Sequence, residues 1–327
     1  MTPRRLSLAL FLASIAVSVL AIALAFNPVP HTGGDNAGYV SLAHGLLTTG
    51  SYTDVFDPQG LPHTKYPPVF PGLLALLIAL GARTWVALKM TAVVPTIVTV
   101  GLTYLWAERR VGPPGAFAVA TLLGLSSGIV YYSHWVLSDP LFLMFTVGSI
   151  FALARADGDG ARTAAWLAAG VVLSGLAYFT RSAGLPLIVA LLAWLALRRR
   201  WRDLAMSGVG LGVPMLLWWL RGRGAGVAQY STEFWMVNPY EPGLGTIGIL
   251  GLVPRLLENL GSYVLQHGPT GVLGPDVPAL PLFGVLFTAT ALVGWALTLR
   301  RDVGIVELFF PMYAGLILLW PAVWGGD

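Results

Sequence analysis

The sequence predicts an all-α polytopic membrane protein, with about nine transmembrane helices and amphipathic interfacial helices in the first outer loop. Three observations carry this. Only 10% of the 327 residues are charged, against about 25% in a soluble domain. Apolar runs long enough to cross a bilayer recur along the whole chain, and the mean hydropathy is +0.74. Arginines stand in doublets and triplets at alternate ends of those runs, the pattern that orients helices in a membrane. The absence of cysteine rules out disulfides, thiolate metal sites and cysteine nucleophiles.

Arg4 and Arg5 precede the apolar run 6–26. That run exceeds the 7–15-residue core of a secretory signal, so it reads as an uncleaved anchor that starts in the cytoplasm and emerges outside. A long polar stretch, 31–71, follows. Gly33-Gly34-Asp35 ends a loop, and 36–47 forms a short helix on the membrane surface. Tyr39, Leu42, Ala43, Leu46 and Leu47 share one of its faces, with Asp35 at its mouth. Residues 67–80 are too short and too proline-rich at their start to cross, and read as an interfacial or re-entrant helix.

Span 84–106 then carries the chain inward to Glu108-Arg109-Arg110. Spans follow at 115–131, 141–154, 164–179, 185–197, 204–220, 278–299 and 303–320. This path puts Lys/Arg at 4, 5, 109, 110, 155, 162, 198, 199, 200, 202, 300 and 301 inside. Positions 65, 83, 89, 181, 221, 223 and 255 fall outside, although Lys89 lies within a span by these bounds. The inner cations cluster at helix ends, as an orientation signal does, and the outer ones are mostly isolated. The sequence pI near 9.5 is therefore a topology signal and not a sign of nucleic-acid binding. Domain organisation reads as one membrane-embedded domain, 1–327, with outer loops at 27–83 and 221–277.

Ionisable groups are costly in such a chain, so those gathered outside are suspects for function. Asp35, Lys65, Asp139, Arg181 and Arg255 all fall on the outer side of this path. A carboxylate can take a proton from an acceptor hydroxyl, and cations can hold a phosphate leaving group. Each has a plainer reading too. Asp35 can be a helix N-cap, as can Asp139 before Pro140. Lys65 can be a snorkelling lysine beside Tyr66-Pro67-Pro68. Arg181 has no partner nearby in sequence. Arg221 and Arg223 read as lipid-headgroup contacts. Asp54 and Asp57 read as turn residues, and Asp157 and Asp159 as parts of a DGDG turn. His31, His44, His63, His134 and His267 lack a metal-ligand spacing; a divalent metal on His63 and a carboxylate is open, and the sequence requires none.

The stretches GDNAGYVSLAHGLLTTGSY, KYPPVFPGLLALL, YYSHWVLSDPLFLMF and FTRSAGLPLIVALL, in this order after an N-terminal span, resemble the membrane-embedded GT-C glycosyltransferases. The resemblance is nearest to the bacterial family-39-like enzymes: aminoarabinose transferases of lipid A, relatives of the protein O-mannosyltransferases, and lipopolysaccharide-core transferases. NPYEPGLGTIG, with Pro254-Arg255 and Asn259, adds a weaker match. The resemblance implies a polyprenyl-phosphate sugar donor, a lipid, glycan or protein acceptor, an active site facing outward from the cytoplasmic membrane, and inversion at the sugar carbon. It implies Asp35 as base or acceptor-orienting group, Asp139 as second acid, and Lys65, with Tyr66 beside it, as the contact to donor phosphate. Arg181 and Arg255 join Lys65 and Tyr66 as expected substrate contacts. Many relatives pair two acids in the first loop, whereas Asn36 follows Asp35 here. Relatives also continue with further spans, so the chain reads as an N-terminal portion. Two other functions stand beside glycosyl transfer: a lipid or polysaccharide transporter, which the scarcity of mid-membrane charge argues against, and an inactive scaffold of the same fold.

Overall fold

The computed structural model describes residues 2–31, 35–53, 59–157, 162–223 and 230–321. Asp54, Asp57 and Asp159 lie outside the described residues, as does the 32–34 loop ahead of Asp35. Among the described residues the elements are helices, with an isolated bridge between Met236 and Thr246. Five helices are long and apolar enough to cross a membrane, and three shorter apolar ones accompany them. The chain is a multi-pass membrane protein. It forms two compact units. One comprises 1–60, 66–188 and 271–274, the other 61–65, 189–270 and 275–327.

In the first unit α1 (Pro3–Ala25) packs along α4 (Trp85–Leu125). The 41-residue stretch α4 is two helices that meet at a kink, and they carry the two passes expected at 84–106 and 115–131. It is broken at Gly112, whose φ of 73° and ψ of 173°, followed by Pro113 and Pro114, reverse the helical path just after the Glu108–Arg110 cluster. The α1–α4 seam is made of small residues. Ser14 and Ser18 are buried, a Cβ on Gly124 would lie 3.0 Å from Ser18, and one on Gly101 would lie 3.3 Å from Ile15. Such residues let backbones approach where lipid supplies no hydrophobic drive. Lys89, fully buried in α4, donates to the carbonyls of Asn27 (2.5 Å) and Val29 (2.6 Å) and so ties down the strand-like exit from α1.

Between these two in sequence lie α2 (Asn36–Thr48) and α3 (Val69–Ala79), and α5 (Ser127–Tyr132) follows α4. At 11 residues α3 rises about 16 Å, too little to cross, in keeping with the reading of 67–80. Next, α6 (Asp139–Arg155) and α7 (Thr163–Thr180) share a second close seam. Ser149 and Ser174 are 2.8 Å apart, Ser149 donates to the Gly170 carbonyl, and a Cβ on Gly170 would come 2.5 Å from Leu153. Helix α8 (Leu185–Leu197) then carries the chain from the first unit into the second.

The second unit holds α9 (Trp201–Gly222), a one-turn α10 (Tyr230–Glu233) and α11 (Leu252–Ser262). A π-turn at Tyr263–His267, α12 (Gly268–Leu273, of which 271–273 belong to the first unit), α13 (Leu280–Arg301) and α14 (Ile305–Leu319) follow. The runs expected to span are helical, with 115–131 divided at Ser126 between the end of α4 and α5. The 221–277 loop is more ordered than its sequence suggests, since α10 to α12 fall within it.

Candidate functional site

In the first unit, α2, the 66–70 segment, the start of α6 and the end of α7 bring four of the expected residues into one chain of contacts. Asp35 is the residue before α2, but its side chain does not cap the helix. Its carboxylate accepts from the Tyr66 hydroxyl at 2.7 Å instead. The N-cap reading of Asp35 is thus corrected: the carboxylate is turned away from the first helical N–H groups toward a phenol. Gly38 makes room for this, because a Cβ there would stand 3.0 Å from the Tyr66 ring. Tyr52 holds the segment from the other side, donating to the Tyr66 carbonyl at 2.8 Å.

The Tyr66 ring lies 4.6 Å from that of Tyr39, whose other side meets Phe70 edge-on. Tyr39 is buried one turn into α2, and its hydroxyl is 2.8 Å from that of Ser138, also buried. Ser138 in turn accepts from the Arg181 guanidinium at 3.2 Å, and the same Nη1 donates to the Asp139 carboxylate at 2.6 Å. Asp139 opens α6, with Pro140 in the first turn, where a proline loses no hydrogen bond. The N-cap itself is Ser138, so Asp139 is not the cap either, and its carboxylate is committed to Arg181. Arg181 follows the end of α7 in an extended conformation. The tight turn Ser182–Gly184 behind it requires a glycine, since a Cβ on Gly184 would lie 2.6 Å from the Tyr178 nitrogen. Both side chains of the pair remain open to solvent, 30% for Arg181 and 47% for Asp139. Tyr39, Ser138 and their link between Asp35–Tyr66 and Asp139–Arg181 went unseen in sequence reading. The i, i+4 step from Asp35 to Tyr39 was a signal for it, read there as packing alone.

The remaining expected residues belong to the second unit. Lys65 pairs with Glu233 at 2.7 Å and stands over the Tyr230 ring at 5.6 Å. Glu233 is buried and nothing in its sequence neighbourhood marked it as the partner. Arg221, read as a headgroup contact, donates to the His63 carbonyl at 2.6 Å, which holds the segment just before Lys65. Arg223 stacks on Trp219. Arg255 is buried, and its two terminal nitrogens donate to the Phe234 and Met236 carbonyls; burial pulls its guanidinium below the ordinary arginine range. Among the described residues, no three His, Asp or Glu side chains come together in a way that would hold a metal ion.

The structure aligns with ArnT from Cupriavidus metallidurans bound to undecaprenyl phosphate. The TM-score is 0.52 and the identity 14%, over 95% of this chain and 59% of that one. It aligns equally with the oligosaccharyltransferase of Archaeoglobus fulgidus, with TM-score 0.53 and 16% identity, over 95% of this chain and 45% of that one. The fold is that of the GT-C superfamily. In sequence, residues 65–219 match the family described as dolichyl-phosphate-mannose-protein mannosyltransferase. This stretch of the GT-C fold runs from Lys65 to the end of α9 and so includes Tyr66, Asp139 and Arg181, while Asp35 lies ahead of it. The chain is also 26% identical to the undecaprenyl phosphate-α-4-amino-4-deoxy-L-arabinose arabinosyl transferase of Edwardsiella ictaluri, over 61% of its own length. It spans 41% of that relative.

Proposed function

We propose that this chain transfers a sugar from a polyprenyl-phosphate-linked donor to an acceptor hydroxyl on a lipid, glycan or protein. The observation that carries the reading is the Asp35–Tyr66–Tyr39–Ser138–Arg181–Asp139 chain of contacts, which sets a carboxylate and a guanidinium on one connected framework within a GT-C fold. In this reading the acceptor oxygen attacks the anomeric carbon and its proton passes to Asp35. The bond from that carbon to the phosphate oxygen breaks, and polyprenyl phosphate leaves with inversion at carbon. Arg181, held by Asp139, meets the negative charge that grows on the departing phosphate. Tyr66 fixes the Asp35 carboxylate. Lys65, an expected phosphate contact, pairs with Glu233 in the second unit and stands outside this framework. Arg255 takes no part, because its donors are spent on carbonyls.

The aminopentose in the name of the Edwardsiella relative makes pentosyl transfer the first specificity to test, ahead of hexosyl transfer. The distribution of arginines supports a cytoplasmic N-terminus and an outward-facing site in a bacterial inner membrane. The test is Asp35→Asn, assayed in membranes for transfer from polyprenyl-phosphate-linked sugars. Turnover is expected to fall by at least about 100-fold with the protein still folded. Unchanged turnover in a folded variant overturns the role.

A further inference from the structure

The α11 helix has its polarity reversed relative to a helix on a water-soluble protein. Its buried residues are Arg255 and Asn259, 8% and 5% exposed. Its outward residues include Val253, Leu257 and Leu260, spaced i, i+4, i+7, and the turn that leads into it, Ile249–Gly251, carries Leu250, 87% exposed. The inward polar groups have a definite task. Asn259 donates from one nitrogen to the Leu318 and Trp320 carbonyls, both at 2.8 Å. These are the carbonyls that the end of α14 leaves without helical partners. The π-turn that continues α11 packs its Val264 carbonyl against Gly284, in the second turn of α13, where a side chain would not fit.

Helices α13 and α14 form an antiparallel pair, for Trp295 meets both the Glu307 carbonyl and the Phe310 ring across the short connection. The beginning of α13 and the end of α14 therefore lie at one end of the pair. α11 is fixed across that end by its own contacts to α14 and by those of the π-turn that continues it to α13. Beside it, α13 exposes Leu282, Leu286 and Phe287, the surface of a helix long and apolar enough to span.

We propose that α11 is a lipid-docking helix whose outward apolar face inserts at the boundary of acyl chains and headgroups, on the membrane face where α13 begins and α14 ends. The occupant is lipid because the face is continuous with that of a spanning helix and sits at the depth where the span stops. Its attraction is apolar and not ionic. Between 249 and 262 the sole cation is Arg255, which points inward, and the outward face carries Glu258. Zwitterionic lipid suffices. None of this depends on the reaction proposed above.

The chain has no cysteine, so Leu250→Cys and Leu257→Cys each introduce a single thiol for a bimane fluorophore. Each labelled full chain is reconstituted in phosphatidylcholine vesicles after its thermal unfolding is matched to the parent. Lipid nitroxide carried near the headgroup is then compared with aqueous iodide as quencher. At both positions the nitroxide lipid is expected to quench at least about threefold more strongly than iodide, equally at low and high salt. Dominant iodide quenching overturns the proposal, because the face is then in water. Weak quenching by both overturns it as well, because protein then covers the face. Quenching by lipid that is lost in high salt overturns the apolar basis. Two positions guard against one substitution failing to fold.

Discussion

Arg181 follows the spanning helix α7 and Arg255 lies within the short helix α11, and the structure uses the two arginines in opposite ways. Arg181 is part-exposed and paired with a carboxylate that is itself half open to solvent. Arg255 is buried, has backbone carbonyls as its partners, and with Asn259 closes the end of α14. A charge spent on fixed carbonyls stabilises architecture, since each carbonyl it satisfies would otherwise be stranded. A charge paired with a carboxylate that is itself half open to solvent can be reached by a ligand. Arginines that looked alike in sequence are separated by what accepts their protons.

The sharpest way to break this contrast is to remove each guanidinium. Arg181→Met is expected to lower sugar transfer by about 100-fold or more, the size of losing one donor to a developing anion, with little change in thermal unfolding. Retained transfer would place Arg181 among the merely structural arginines. Arg255→Met is expected to act on stability first. It leaves the Phe234 and Met236 carbonyls without that donor, a loss on the order of 3 kcal/mol, read as a lower midpoint of unfolding in detergent. A variant that kept its unfolding midpoint but lost transfer would reverse the assignment of the two residues.

Some of this was legible in the sequence. The fold class followed from hydropathy and from arginine spacing, and the nine expected runs coincide with helices because a bilayer leaves the backbone no other way to satisfy its hydrogen bonds. Asp35, Tyr66, Asp139 and Arg181 stood out because polar residues are rare in this chain. Their pairing did not, because the contacts join distant stretches of sequence: Arg181 meets Asp139 across 42 positions, and Lys65 meets Glu233 across 168. The separation of the two passes in α4 was legible, because Gly112-Pro113-Pro114 marks the break between them. α11 was hidden for a different reason. Its alternation of apolar and polar positions was there to be read, but buried polar side chains facing carbonyls have no signature distinct from exposed ones.

The link between the two acids offers a smaller test. Tyr39→Phe removes the hydroxyl that meets Ser138 but keeps the ring between Tyr66 and Phe70. A single hydrogen bond contributes about 0.5–1.5 kcal/mol, so transfer should fall by roughly three- to tenfold. The loss should appear in kcat with KM held, since Tyr39 is buried and positions Ser138 without touching a ligand. An unchanged rate would mean that Asp35 and Arg181 are held independently of each other.

The smallest expected effect concerns neither arginine but the histidines near the exit of α1. His134 is buried, with His31 beside it at 5.7 Å between rings and the Lys89 ammonium close by. Burial, then Lys89 and then His31 hold its imidazole below the ordinary histidine value. Burial and Lys89 do the same for His31, which stacks on Trp135 at 3.7 Å. The fold therefore keeps both rings neutral, while the unfolded chain takes up protons near pH 6.5. The unfolded state binds more protons in that window, so stability is complete above about pH 6.5 and declines as pH falls toward the lower folded values. Unfolding midpoints measured across that range should drop on acidification, and His134→Gln should make the drop shallower by removing one of the two sites. A midpoint that rises on acidification would require a carboxylate near His134 that the described residues do not place there. The same measurement on Arg181→Met should show the parent's slope unaltered, since that arginine is not among the groups that hold either ring neutral.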